Sequence, residues 1–279
     1  VSDRAVKDLF DLKGRVAIIT GGAGLLGTRH AAALAEYGAI PVLLDIDSGR
    51  TEAAAQKVGA AHGVKALGLA ADITDPKALE DVKARVLKEF GRMDILVNNA
   101  ANNPKMEGGD LGGEWTRLEN FPLKVWNDDI AVGLTGAMLC SQVFGAEMAK
   151  AGQGVILNIA SDLGAIAPDQ RLYRKEGLAD EAQPVKPVTY SVVKSGLIGL
   201  TRYLATYWAD KGVRANALLP GGVENSQDPA FIAKLTHLIP MGRMAQPDEY
   251  KAAVLFLVSD ASSYMTGAML SVDGGRTAW

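Results

Sequence analysis

One cysteine and three histidines are all that a chain of 279 residues carries of the commonest metal-binding side chains. A lone Cys140 excludes an internal disulfide framework and suits a reducing compartment. It sits in the apolar stretch GAMLCSQVF and reads as a buried structural thiol rather than a nucleophile. His30, His62 and His237 stand far apart and without ligand spacing, so no metal site is expected. Charge of one sign is also scarce. A net −3 argues against general affinity for nucleic acid or an anionic membrane. No apolar run approaches the roughly 18 residues that a bilayer span needs. The opening VSDRAVKDLF has charges where a signal peptide needs an apolar core. A cytoplasmic protein with no membrane partner is expected. Aromatics reach only 6%, and there is no internal repeat, low-complexity tract or linker.

What is present is alternation. With 48% hydrophobic and 22% charged residues the composition is that of an ordinary globular chain. Short apolar runs at 16–20, 40–44, 64–70, 94–97, 154–159, 213–218 and 269–273 read as strands. Longer amphipathic stretches, such as DPKALEDVKARVLKEFG, lie between them. Gly38 and Gly91 stand where helix C-caps belong, and Asp75 precedes Pro76 as an N-cap. Repeated strand–helix–strand units predict a single α/β domain over 1–279: about seven strands in a doubly wound parallel sheet with helices on both faces. Two polar stretches break the rhythm, 101–122 and 164–187. Both follow strands at their carboxyl ends, where open α/β sheets bind ligands, so both are expected to face a substrate.

RVAIITGGAGLLGTRHAAALAEYG runs from a strand through a glycine-rich turn into a helix. Such a turn lets backbone approach a pyrophosphate, whose charge then meets the N–H groups opening the helix. Gly21, Gly24, Leu25, Leu26 and Gly27 are the positions concerned. Asp45 follows eighteen residues after Gly27, closing the second strand. A carboxylate there accepts from ribose hydroxyls and repels a 2′-phosphate, and no arginine immediately follows it, so NAD(H) is expected over NADP(H).

These features, with others in order along residues 12–275, make the chain resemble the short-chain dehydrogenase/reductase family, whose fold is of Rossmann type. NNAA at 98–101 is similar to the family's Asn-Asn-Ala-Gly element. ADIT offers Asp72 and Ile73 at the adenine position, and LLPGGVEN looks like the Pro-Gly segment beside the nicotinamide. The closing YMTGAMLSVDGG matches the family's last strand. The resemblance implies that Asn99, Ala100, Pro220, Gly221 and the Val223 backbone help to hold the cofactor. Tyr190 and Lys194 in VTYSVVKSG match its Tyr-x-x-x-Lys, and Ser161 its substrate-steadying serine. Residues four apart share a helix face. A phenol with pKa about 10 needs a nearby positive charge to trade protons at neutral pH, so Lys194 is expected to lower Tyr190 and to hold the nicotinamide ribose. The implied activity is an NAD-dependent alcohol dehydrogenase or ketoreductase. Polar loops with Arg171, Arg174, Lys175 and Lys186 suggest a small polar substrate such as a sugar, sugar acid or sugar derivative. The resemblance also implies a homotetramer or homodimer.

Three departures stand out. Gly21, Gly24 and Gly27 read Gly-x-x-Gly-x-x-Gly, with Leu25 where single-domain members have glycine. That spacing and a twenty-nine-residue Ser161–Tyr190 interval lean toward the extended branch and its NAD-assisted nucleotide-sugar epimerases and dehydratases. The single-domain tail ending at 279 favours the other branch. Gly133 stands where many relatives carry an asparagine of the proton relay, which keeps a non-catalytic NAD-binding protein as an alternative. Ala101 replaces the last glycine of the Asn-Asn-Ala-Gly element. Tyr173, twelve residues past Ser161, has Gly177 rather than lysine four residues on and is read as a loop residue.

Overall fold

Every residue of β1 (Val16–Thr20) is buried, as an unbroken apolar run covered by helices on both faces requires. The computed structural model describes residues 4–102 and 113–279. The other strands are β2 (Ile40–Asp45), β3 (Leu67–Ala70), β4 (Ile95–Asn98), β5 (Gly154–Ile159), β6 (Val213–Pro220) and β7 (Met269–Val272). All seven pair in parallel, in the order β3-β2-β1-β4-β5-β6-β7. β3 starts later than the expected residue 64, because the Val64 N–H still bonds the Gly59 carbonyl at the end of the preceding helix.

Side-chain alternation splits β1 between two cores. Ala17 and Ile19 join Leu34, Leu43 and Val254 on one face, whereas Val16 and Ile18 join Leu79, Phe144 and Met148 on the other. The first face is covered by α1 (Leu25–Glu36) together with α7 (Lys251–Val258), and the second by α3 (Pro76–Phe90) with the long α4 (Leu123–Ala151). α2 (Ser48–His62), α5 (Val188–Tyr207) and α6 (Pro229–Thr236) complete the layers. Asp75 caps α3 as expected, its carboxylate accepting from the Lys77 N–H at 2.8 Å, and Gly91 closes that helix.

α4 corrects one expectation. Across 29 residues it is long and apolar enough to cross a bilayer. Cys140, Phe144 and Met148 on it are nonetheless fully buried against the sheet, which identifies a core helix. Burial pushes the Cys140 thiol up to about 12, so it is inert.

A buried polar ladder fixes α5 against the strands. The Asn98 amide donates to the Asn158 side-chain oxygen at 2.8 Å, Asn158 donates to the Thr201 hydroxyl at 2.8 Å, and Thr201 donates to the Leu197 carbonyl at 2.7 Å. Buried hydrogen bonds between side chains of different elements favour one arrangement of those elements. Here the ladder sets the position of the helix that carries Tyr190 and Lys194.

Candidate active site

Between β1 and β4 the strand order reverses, and at the carboxyl ends of the strands a cleft of about 630 Å³ opens there. One half is built around the glycine turn. Gly21 adopts φ +61°, and a Cβ on Gly27 would stand 2.1 Å from the Gly21 carbonyl oxygen. Only glycine lets α1 begin so close to the turn. Gly27 therefore acts from behind, and the other expected cofactor positions border the cleft itself. No side chain caps the start of α1, so the N–H groups at Leu25 and Leu26 remain for an anion. Thr20 ties the neighbouring strand end in place: its hydroxyl accepts from the Asn99 and Ala100 N–H groups, both at 3.0 Å. The Asn99 amide donates to the Thr20 and Gly21 carbonyls at 3.0 and 3.2 Å.

At the far end Asp45 accepts from the Ala23 N–H at 3.2 Å and the Ile46 N–H at 2.9 Å. Asp72 accepts from Thr74 through both backbone and hydroxyl. Arg50, in the first turn of α2, donates to the Ala23 carbonyl at 3.3 Å and lines the cleft beside Asp45. Sequence reading missed Arg50 by looking only directly after Asp45. Arg29, on α1, pairs instead with Asp248 at 3.4 Å. A pyrophosphate-bearing dinucleotide fits this half, with a tight turn, open helix N–H groups and a terminal carboxylate.

Ser161, Tyr190 and Lys194 come together on the other half. Ser161 lies just past β5, and its hydroxyl donates to the Asp162 carboxylate at 2.7 Å. Tyr190 sits in the first turn of α5 and lines the cleft together with Ser161. Lys194, one turn on, is buried and donates to the Ile159 carbonyl at 2.8 Å. The electrostatics depart from expectation. In the protein alone the Tyr190 phenol is pushed above its ordinary value, chiefly by burial, with Ser161 opposing and the Asp162 charge adding to the rise. Lys194, its Nζ 5.8 Å from the ring centre, does not reverse this. Lys194 is itself pushed down to about 8, by burial and then by the neighbouring Lys186 charge.

Gly133 proves to be sterically required. A Cβ there would meet Val193 Cγ1 at 2.6 Å. It lies in a π-turn of α4, Ala131–Thr135, and borders a small cavity of about 20 Å³ shared with Asp129, Thr189, Tyr190 and Lys194. That is room for one water. Asp129, buried, accepts from the Thr189 hydroxyl at 2.5 Å and gives that cavity a polar wall.

The 164–187 loop is a folded cap. Leu172 packs with Leu235, Ile239 and Met244, and Tyr173 meets Phe231 at 5.6 Å between ring centres. Tyr173 therefore borders the cleft, although burial pushes its phenol up to about 12 and leaves it unsuited to proton exchange. The Gln183 side chain bonds Lys175 N–H and C=O and the Leu178 carbonyl, and Gln170 accepts from the Lys186 N–H. Ala101 and Asn102 also border the cleft. Residues 103–112 of the other loop lie outside the described residues, and its later part braces the cap: Thr116 accepts from the Val185 N–H and Arg117 donates to the Asp180 carbonyl. Asp162 and Arg276 are cleft residues that local pattern did not flag.

Residues 15–173 match the short chain dehydrogenase family, and residues 177–277 match a second family described as enoyl-(acyl carrier protein) reductase. The chain belongs to the short-chain dehydrogenase/reductase family, in its single-domain form, and is an oxidoreductase of the alcohol dehydrogenase type with a nicotinamide cofactor. It is 34% identical over 273 residues to the D-threitol dehydrogenase of Mycolicibacterium smegmatis, covering 96% of this chain and 95% of that one. It is 33% identical to the NAD-dependent glycerol dehydrogenase of Listeria innocua, covering 96% of each. Among solved structures it resembles a gluconate 5-dehydrogenase from Burkholderia cenocepacia in complex with NADP and tartrate, with TM-score 0.85, 29% identity, and coverage of 99% of this chain and 100% of that one.

Proposed function

We propose that this chain, read as one domain over 1–279, is an NAD-dependent dehydrogenase that interconverts a secondary alcohol and a ketone on a polyol, sugar or sugar acid. One observation carries the reading. Ser161, Tyr190 and Lys194 line the same cleft as the glycine turn and Asp45. Similarity to the threitol and glycerol dehydrogenases supports a small hydroxylated substrate. Preference for NAD rests on Asp45, whose carboxylate accepts ribose hydroxyls and opposes a 2′-phosphate.

The glycine turn and the start of α1 would hold the pyrophosphate, Asp72 and Ile73 the adenine, and Asn99, Ala100, Pro220, Gly221 and Val223, which line the same cleft, the nicotinamide end. When bound, the oxidised dinucleotide supplies the hydride acceptor and a positive charge beside the phenol. Ser161 positions the substrate oxygen. Tyr190, as phenolate, takes the hydroxyl proton while the carbinol C–H leaves as hydride and the C=O bond forms. Lys194, anchored on the Ile159 carbonyl, keeps further N–H groups for the nicotinamide ribose. The Asp129-lined cavity offers the proton an exit through one water.

Exposed Met138, Val192, Tyr203 and Tyr207 on α4 and α5 support a homodimer or homotetramer, and the lone buried Cys140 fits a cytoplasmic setting. The test is the purified protein with polyols, sugars and sugar acids, each with NAD and NADP, following absorbance of reduced nicotinamide. Reduction with NAD and at least one of these substrates is expected. Product without net reduced cofactor would instead identify an epimerase or dehydratase, and binding of NAD without turnover a non-catalytic protein.

A further inference from the structure

Two arginines of the 164–187 loop are held by its own acids, Arg171 by Asp169 at 2.7 Å and Arg174 by Asp180. Another arginine borders the substrate half of the cleft and comes from the far end of the chain. Arg276, just after β7, stands beside Asp162, with its Nε 3.3 Å from Asp162 Oδ2. We propose that Asp162 and Arg276 together bind the hydroxyl on the carbon next to the reacting carbinol, so that the substrates are vicinal diols and that neighbouring carbon carries a hydroxyl rather than being a carboxylate. The proposal rests on the dehydrogenase reading above and narrows its substrate class.

Unmet bonding capacity comes first. Arg276 Nε is shut off from solvent without a hydrogen-bond partner, and among the described residues neither Nη donates to anything. The approach to Asp162 is thus an ion pair without a hydrogen bond. Asp162 divides its two oxygens. Oδ1 accepts from the Ser161 hydroxyl at 2.7 Å and the Leu163 N–H at 2.8 Å, whereas Oδ2 accepts no hydrogen bond among the described residues. Both side chains are more than nine-tenths buried, and both border the cleft. Buried polar groups in native proteins are nearly always hydrogen-bonded, so donors and an acceptor left open at a cleft call for a ligand that completes them.

Complementarity then selects the group. A guanidinium only donates, an ionised carboxylate only accepts, and a hydroxyl does both. A hydroxyl can take an N–H from Arg276 and give its own proton to Asp162 Oδ2. A carboxylate in its place would meet the donors but set its own acceptors against Oδ2, and a methyl group would meet neither. Position fixes which hydroxyl is read. One carboxylate separates Ser161 Oγ from the guanidinium, so an oxygen on the pair belongs to the carbon adjoining the carbinol that Ser161 positions. Arg276, Asp162 and Tyr190 all act electrostatically on the Tyr173 phenol, which places them around one space beneath the cap.

The experiment compares kcat/KM for matched alcohols: glycerol, propane-1,2-diol and lactate with propan-2-ol, and butane-2,3-diol with butan-2-ol. Wild type, Arg276→Met, Arg276→Lys and Asp162→Asn are measured. Wild type is expected to favour each diol over its lone alcohol and propane-1,2-diol over lactate. Arg276→Met should shrink the advantage of the diols by roughly ten- to hundredfold, the range of a hydrogen bond to a charged group. Arg276→Lys keeps the ion pair and removes the fork, so it should lose part of that advantage and decides the matter where Arg276→Met does not fold. Asp162→Asn keeps an oxygen for Ser161 and puts an amide N–H where Oδ2 stood, so lactate should gain on propane-1,2-diol. A loss of packing alone would lower both alike. Equal efficiency on diols and lone alcohols in wild type, a diol advantage unchanged in the Arg276 variants, or an Asp162→Asn variant in which lactate gains nothing overturns the hydroxyl contact and leaves the dehydrogenase standing. No cofactor reduction with any of these, nor with the sugars and sugar acids named above, overturns the dehydrogenase reading itself.

Discussion

Arg276 Nε lies 3.3 Å from Asp162 Oδ2, and both side chains are more than nine-tenths buried. The pair joins the segment after β7 to the segment after β5, and through Asp162 it orients the Ser161 hydroxyl. Removing one partner of a buried pair typically costs ~3–5 kcal/mol. Arg276→Met should therefore lower stability near neutral pH. Burial already raises the Asp162 carboxyl above its ordinary value, with Ser161 and Arg276 opposing. Without Arg276 the folded-state pKa rises further above the unfolded one, so the loss is greatest at neutral pH and shrinks as pH falls and Asp162 protonates. Denaturant unfolding of both proteins at neutral and mildly acidic pH checks this. A deficit independent of pH would sink it.

Asp45 and Arg50 border the same end of the cleft, and the proposed preference for NAD turns on the first of them. Asp45→Ser removes the carboxylate that opposes a 2′-phosphate and leaves Arg50 beside the same end of the cleft. The ratio of kcat/KM with NAD to that with NADP should fall at least about tenfold, equivalent to ~1.4 kcal/mol. Kinetics with both dinucleotides decide it, and an unchanged ratio would remove Asp45 from the discrimination.

Burial raises the Tyr190 phenol in the protein alone. Ultraviolet difference titration of the ligand-free protein against Tyr190→Phe should show this phenol ionising above its usual value of about 10. Oxidised dinucleotide should bring it down by adding positive charge. In the mechanism proposed above the phenolate is the active form for alcohol oxidation, so activity should rise with pH through the pKa of the complex. Tyr190→Phe should lose about 10²–10⁴-fold in kcat, the usual range for a general acid–base group, while still binding dinucleotide by fluorescence quenching.

His30, on α1, is fully buried, and its two ring nitrogens have no hydrogen-bond partner among the described residues. Burial pushes it down to about 4. Between pH ~6.5 and 4 the unfolded chain takes up a proton that the folded one refuses, so stability falls as pH falls through that window. The full effect is of order 3 kcal/mol. His30→Leu should flatten the acid limb of the stability curve between those values. Parallel curves for the two proteins would refute the assignment.

The strand–helix alternation was legible because runs buried on both faces are apolar throughout, and the seven strands stand where those runs are. Tyr190 and Lys194 were legible because their relation is local, one turn of one helix. Lysine four residues on also separated Tyr190 from Tyr173. The relations that were not legible depend on packing between distant segments. Asp162 meets Arg276 across most of the second half of the chain, Arg50 folds back onto Ala23, and Lys186 lies over a ring rather than in solvent. The direction of the Tyr190 shift was missed for a related reason: charge spacing can be read from a helix, but desolvation cannot.

The cap over residues 164–187 is stitched to itself through Gln183 and Gln170, to Thr116 and Arg117, and to Lys234 on α6. Its outline is thus set during folding and not by whatever molecule arrives. Anyone grafting this cap onto a relative would have to carry the two glutamines and the Thr116–Arg117 clamp along with the loop, since without them its backbone would lose the bonds that hold its outline.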